Sequence, residues 1–313
     1  MDQLERDKDF RGLMRVLEDA SADDDDRADA AFALARFTED YANFAAIVAA
    51  GVIPLLVKLL RSDADYESRN AEAALHNLAT GNDAIKAAIV AAGALPPLVK
   101  LLRGGSNEGK VNVVRLLNNL AVDSDANRVA VLKAGAIPPL VKLLHSGSDE
   151  CRVYAATTLS NLMCVVAPTF DNVAPTFDIV AKNVALAIVA AGAIPPLVEL
   201  LRDDAGAAAA EDARESAVEM LGNLAYNNDA IKAAIVAAGA LPPMVELLRS
   251  GSDEGRVKAA KVMGNLTSGK DAIKEDVLAA GPLRMLVELL GDEGSAEGRR
   301  NAARALHNLT FHK

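Results

Sequence analysis

Apolar positions along this chain recur with the spacing of helices, and whole patterns of them recur with it. Residues 82–102 read NDAIKAAIVAAGALPPLVKLL, and residues 228–248 read NDAIKAAIVAAGALPPMVELL. Only Leu98/Met244 and Lys100/Glu246 differ between them. The pattern predicts three helices per unit. The first is short, as in DAIKAAIVAAG, opened by an Asn or Asp cap and closed by Gly. The second is PPLVKLLR, with proline in its first turn, where a missing N–H costs nothing. The third follows a Ser/Gly/Asp/Glu turn, as in EGRVKAAKVMGNLTS, with acidic residues at its start to suit the helix dipole. In most copies a Leu two before the final Asn and a Leu one after it fall on one helical face, which predicts a core-facing stripe.

Two markers fix the period. The glycines that close the first helices are Gly51, Gly93, Gly135, Gly192, Gly239 and Gly281. An Asn-Leu pair near the end of each third helix sits at Asn77, Asn119, Asn161, Asn223, Asn265 and Asn308, with spacings of 42, 42, 62, 42 and 43. The unit is therefore 42 residues with one enlarged copy, the signature of a stacked array. The enlarged copy repeats VAPTFD at 166–171 and 173–178, an echo that replication slippage explains. Its Phe170 and Phe177 rings are expected to tuck onto the array or meet a partner, and Thr176 to cap a longer first helix. A second insertion, AGAAAAEDA, is expected to lengthen the third helix or its loop.

The G-x-[IL]-P-x-[LM]-V-x-L-L core of the second helix and the L-x-N-L end of the third resemble the armadillo repeat family. The resemblance covers residues 39–313 as six repeats, about 39–80, 81–122, 123–164, 165–226 with insertions, 227–268 and 269–313. Residues 1–38 resemble a partial, capping repeat, with Arg36 where Asn would fall. The resemblance implies an all-α fold, a right-handed α-solenoid of three-helix repeats with the third helices lining a concave groove. No repeat of such a stack buries its apolar face alone, so neighbours must cover one another. The N-terminal LERDKDFRGLMRVLEDASADDDD supplies an acidic, amphipathic cover. LHNLTFHK supplies none, so either the chain is a fragment, or Leu309 and Phe311 fold back, or another chain covers this end.

Asparagine is a poor residue for a helix interior, so six in one register need a reason. One reading is structural, with each amide bonded to a neighbouring helix end. The other is a ladder: a carboxamide carries both donors and an acceptor, which match the backbone of an extended peptide. The resemblance implies this second use for Asn77, Asn119, Asn161, Asn223, Asn265 and Asn308. Each such bond contributes about 0.5–1.5 kcal/mol net, while ordering each peptide residue costs about 1–2 kcal/mol. Affinity must therefore come from side chains beside the row. Four and seven residues before each Asn, on its face, lie Arg115, Tyr154, Lys258, Lys261 and Arg304. The four cations among them, Arg115, Lys258, Lys261 and Arg304, outnumber Glu219, and no Trp stands anywhere in the chain. The groove is expected to favour acidic extended segments rather than the Lys-rich signals held by Trp-Asn pairs in nuclear-import adaptors. On the second helices one position runs Lys58, Lys100, Lys142, then Glu199, Glu246, Glu288, a sign change read as a solvated surface or as head-to-tail attraction.

Composition narrows the function classes. Of 313 residues 51% are apolar but only 4% aromatic, which suits small-residue helix packing. The net charge of −10 disfavours nucleic acid and anionic membranes as partners. No apolar stretch is long enough to span a bilayer, and MDQLERDKDF does not read as a signal peptide. Two cysteines, Cys151 and Cys164, make no disulfide framework, so a reducing compartment, cytoplasm or nucleus, is expected. The histidines His76, His145, His307 and His312 form no metal-ligand spacing. His76 and His307, beside the Asn row, read as solvated. GGSNEGK at 104–110 lacks a preceding strand and reads as an ordinary turn, and Asp23–Asp26 as a solvated acidic turn. The sequence thus reads as a non-enzymatic scaffold, without metal or cofactor, for a protein or peptide partner. Two alternatives stay open: a structural array that self-associates through its faces or C-terminal end, and a nuclear transport or signalling adaptor.

Overall fold

The computed structural model describes residues 10–19, 21–62, 65–164, 174–202, 208–269, 271–291 and 295–310. Among these residues helices occur and strands do not. Contacts divide the chain into two compact units, residues 1–139 and 140–313. The first holds α1 (Phe10–Glu18), α2 (Asp24–Phe37), a 3-10 turn (Tyr41–Asn43), α3 (Phe44–Ala49), α4 (Val52–Leu59) and α5 (Asp65–Ala79). It continues with α6 (Asp83–Ala91), α7 (Leu95–Gly104), α8 (Asn107–Ala121) and α9 (Asp125–Lys133). Helix α10 (Ile137–Ser146) crosses the boundary. The second unit holds α11 (Asp149–Met163), α12 (Ala174–Ala190), α13 (Ile194–Leu201), α14 (Ala208–Ala225) and α15 (Asp229–Ala237). It ends with α16 (Leu241–Ser250), α17 (Asp253–Leu266), α18 (Asp271–Ala279), α19 (Leu283–Glu288) and α20 (Ala296–Thr310).

The local chemistry that makes these helices is largely that of the predicted pattern. Asn82 and Asn228 cap α6 and α15, each accepting from an N–H three residues on at 3.1 Å. Ser106, Ser148 and Ser252 cap α8, α11 and α17 in the same way. Each first helix ends in a left-handed glycine, for example Gly93 with φ of 80°. A side chain is strained there, and the chain turns through 79° from α6 into α7 and 82° from α15 into α16.

The third helices carry the core. In the first unit α2, α5 and α8 pack in succession; in the second, α11, α14, α17 and α20 do. The predicted stripe is fully buried in Leu75 and Leu78, Leu117 and Leu120, Leu221 and Leu224, and Met263 and Leu266, while Leu306 in the last copy is half-buried. Each such side chain contributes about 1.5–3 kcal/mol by leaving water. Leu309 is buried too; Phe311 lies outside the described residues.

Two expectations change and a third is narrowed to one of its alternatives. The acidic run is no turn: Asp23 caps α2 by accepting from the Asp26 N–H at 2.7 Å, and Asp24–Asp26 form its first turn. Carboxylates there meet the positive end of the helix dipole. Helix α12 starts at Ala174, so Thr176 lies inside its first turn rather than capping it. The alanine-rich insertion lengthens the third helix: α14 has 18 residues against 15 in α8 and 14 in α17. The segment from 165 to 173, with Phe170, and the Phe177 side chain lie outside the described residues.

Candidate functional site

Five of the six ladder asparagines, Asn77, Asn119, Asn223, Asn265 and Asn308, point their amides at the preceding third helix. In the first unit Asn77 Nδ2 donates to Thr38 Oγ1 at 3.1 Å, and Asn119 Nδ2 lies 3.4 Å from His76 Nδ1. In the second, Asn223 Nδ2 donates to Ser160 Oγ at 2.7 Å. Asn265 Nδ2 donates to the Gly222 carbonyl at 3.0 Å, and Asn308 Nδ2 to the Gly264 carbonyl at 2.9 Å. One rule covers four of these bonds: the acceptor belongs to the residue just before the previous ladder Asn. That residue is His76, Ser160, Gly222 or Gly264. Where it is Gly, the amide reaches the backbone itself. A Cβ on Gly222 would stand 2.7 Å from Val262 Cγ2, so the close approach depends on its absence.

The structural reading of the asparagines therefore has direct geometric content. It does not exhaust their chemistry. Asn77, Asn119, Asn161, Asn223 and Asn308 are half-buried, and an NH2 group has a second hydrogen. Among the described residues, the Oδ1 atoms of Asn223 and Asn308 have no hydrogen-bond partner. Asn265 differs: it is buried, and its Oδ1 accepts from Arg304 Nη2 at 3.2 Å.

The flanking residues divide. In the second unit a cleft of about 410 Å³ is lined by Asn223, Asn265, Lys182, Lys261, Arg304 and Tyr226, with Cys164 at its side. No carboxylate lines it. Among the described residues neither Lys182 nor Lys261 has an ion-pair partner. Arg304 is oriented by the Lys261 carbonyl at 3.1 Å and by Asn265, and its guanidinium occupies space that Gly264 leaves open. Tyr226 is largely exposed.

Nearer the N-terminal ends of α17 and α20 lies a second cleft of about 370 Å³ with the opposite character. Glu219, Asp253, Glu254 and Glu297 line it around Lys258, and Lys261 lines both clefts. Lys258 is held by Glu254 at 2.7 Å, Glu219 at 3.3 Å and Glu215 at 3.4 Å. Burial, the largest single influence, pulls its pKa down, but the three carboxylates together raise it. Its charge is spent within the scaffold, unlike that of Lys261. Tyr154 is half-buried in α11 of the second unit and is not among the residues lining either cleft. Arg115, half-buried in α8, lies in the first unit close enough to His76 to affect its charge. His76 is not solvated as expected. Burial first, and Arg115 second, push its pKa below the ordinary value of 6.5.

Sequence reasoning also missed the first-helix lysines. Lys86, Lys232 and Lys274 are buried, each paired with the Asp three residues earlier at 3.5, 3.3 and 3.0 Å. Lys232 Nζ also donates to the carbonyl and hydroxyl of Ser268 at the end of α17. The signal was present as D-A-I-K after the cap, a spacing that brings both charges to one face.

The matches to known proteins agree with this layout. The family model of the plant U-box protein ARM repeat region matches residues 12–312. No curated protein matches the sequence. A designed armadillo repeat protein superposes with a TM-score of 0.70 at 29% identity, over 82% of this chain and 100% of its own. A second, in complex with the peptide (KR)4, gives 0.67 at 30% identity over 82% and 99%. A structure from work on a phosphorylation switch between cadherin and beta-catenin gives 0.79 at 19% identity, over 97% of this chain and 52% of that one, a likeness of fold alone. The two motifs, the stacked third helices and these matches lead to one conclusion: the fold is the armadillo α-solenoid, and the chain belongs to the family of the plant U-box protein ARM repeat region.

Proposed function

We propose that the chain is a non-enzymatic scaffold that binds an extended segment of a partner protein along its third helices, with acidic residues held in the cleft of the second unit. The observation that carries this reading is the lining of that cleft. Lys182, Lys261 and Arg304 surround it without a carboxylate, in a chain whose net charge is −10. Cations left unpaired in an acidic protein are poised for an anionic ligand, and they raise its on-rate as well as its affinity. Asn223 supplies one spare N–H and an acceptor for a peptide backbone, and Tyr226 an apolar ring. Asn265 takes the role of orienting Arg304. The neighbouring acidic cleft favours a basic residue elsewhere in the same segment. The peptide-binding relative carries (KR)4, a basic ligand; the cationic lining here argues for the reverse preference in this cleft. Two cysteines, too few for a disulfide framework, fit a reducing location, and we place the protein in cytoplasm or nucleus.

The test is peptide binding by fluorescence anisotropy at several salt concentrations, with acidic, mixed and basic peptides. Acidic peptides should bind best and weaken with salt. The double variant Lys261→Glu/Arg304→Glu should lose about tenfold or more, the effect of about 1.4 kcal/mol. A preference for Lys/Arg-rich peptides would overturn the assignment.

A further inference from the structure

The cleft of the second unit carries two features that an aspartate or glutamate side chain leaves unused. The first is surplus charge. Lys182 on α12, Lys261 on α17 and Arg304 on α20 reach the cleft from three helices, and no carboxylate lines it. One carboxylate would leave two of these three charges unbalanced. Both bonds that orient Arg304 are made by Nη2, to the Lys261 carbonyl at 3.1 Å and to Asn265 Oδ1 at 3.2 Å, which leaves Nη1 to donate to a ligand. Asn223 keeps one N–H after donating to Ser160. The second feature is an apolar wall. Met163 and Ala185, both nearly buried, line the cleft together with the Tyr226 ring, which is 61% exposed.

We infer that the occupant of this cleft is a phosphotyrosine in the partner segment. This occupant presupposes that the cleft takes an anionic side chain of an extended partner segment, as proposed above. A phosphoryl group carries about −1.5 to −2 charges at pH 7 and three strong acceptor oxygens. It therefore offsets most of the charge of the three cations and offers each of them an oxygen. The ring that bears it packs against Tyr226, Met163 and Ala185. At about 410 Å³ the cleft has room for the ring and the phosphoryl group together. A phosphoserine would satisfy the cations but leave the apolar wall in water, and an unmodified tyrosine would do the reverse. An anionic membrane surface is a poorer occupant, because Glu219, Asp253, Glu254 and Glu297 line the neighbouring cleft and repel it. The Asn223 Oδ1, without a partner among the described residues, matches a backbone N–H of a peptide instead.

The test is fluorescence anisotropy with labelled peptides of one Ser/Ala sequence that differ only in a central phosphotyrosine, phosphoserine, glutamate or tyrosine. The phosphotyrosine peptide should bind best, about tenfold tighter than the tyrosine peptide and about fivefold tighter than the phosphoserine peptide. Lys182→Glu should weaken it about tenfold, and Tyr226→Ser should bring it down to the phosphoserine level. Both positions are exposed, so the fold should persist, which circular dichroism checks. A phosphotyrosine peptide no tighter than the phosphoserine one, a phosphotyrosine peptide indifferent to Tyr226→Ser, or stronger attachment to phosphoinositide-containing vesicles would overturn the inference. The glutamate peptide separates the two levels. If it binds and weakens with salt while phosphotyrosine adds nothing, the phosphotyrosine assignment falls and the acidic-segment assignment stands. If none of the anionic peptides binds, both fall.

Discussion

The two units stitch their third helices with different chemistry. In the first, ladder amides meet side chains: Asn77 meets the Thr38 hydroxyl, and Asn119 meets the His76 ring at a long 3.4 Å. In the second, Asn223 still meets a side chain, the Ser160 hydroxyl, but Asn265 and Asn308 meet backbone carbonyls at 3.0 and 2.9 Å, because Gly222 and Gly264 leave no side chain in the way. A short bond to a carbonyl needs close helices and tolerates no substitution at the glycine. A long contact to an imidazole tolerates more, but depends on protonation. One register position, the residue before each Asn, thus decides whether a layer is held by packing or by a titratable group.

The comparison breaks most sharply at Gly222. Gly222→Val places a Cβ 2.7 Å from Val262 Cγ2 and adds two methyls to a filled space. Overpacking of this kind costs typically 1–3 kcal/mol, and we expect about 3 kcal/mol here. Because stacked layers unfold by their neighbours' stability, hydrogen exchange should show α14 and α17 losing protection while α5 and α8 keep theirs. Uniform loss across both units would show that the stitch is not local.

The next effect is the difference between two asparagines. Asn265→Ala removes a buried amide bonded at both ends and frees Arg304. We expect a cost of about 1–2 kcal/mol by urea unfolding. Asn119→Ala removes one long contact at a half-buried site and should cost about 0.5 kcal/mol. Equal costs would mean that the acceptor's identity does not matter.

The fold was legible because its markers are local. A left-handed Gly, a Pro three residues later in five of the six copies and an L-x-N-L end each act within one turn, and six copies leave little ambiguity about the period. Directions across layers were not legible. The amide of Asn265 is aimed by Gly222, 43 residues upstream. Lys258 looked like a groove cation beside Lys261 because its partners Glu215 and Glu219 lie on another helix and only Glu254 on its own. Lys232 drew no reading from the sequence because the Ser268 carbonyl that receives it lies just past a different helix. The cationic cleft was half-legible: Lys261 and Arg304 follow from the register, whereas Lys182 sits on α12, off the third-helix pattern.

The smallest effect is the most specific. His76 titrates below the ordinary histidine value of 6.5, first because burial disfavours the cation and second because Arg115 repels it. The unfolded chain therefore takes up a proton that the folded chain refuses, and stability falls as pH drops below about 6.5. A neutral ring with its proton on Nε2 accepts from Asn119 through Nδ1; a charged ring only donates, so the stitch fails as the ring is protonated. In the second unit the acceptors are the Ser160 hydroxyl and two carbonyls, none of which titrates. Glu67, whose pKa is lowered chiefly by its hydrogen bond from Arg27, keeps its charge to lower pH than an ordinary glutamate, so its contribution is lost only at more acid pH than that of His76. Between about pH 7.5 and pH 5, hydrogen exchange should show α5 and α8 losing protection in wild type and keeping it in His76→Gln, while α14 and α17 respond the same way in both. If α5 and α8 keep their protection in wild type too, the imidazole plays no part in holding the layer.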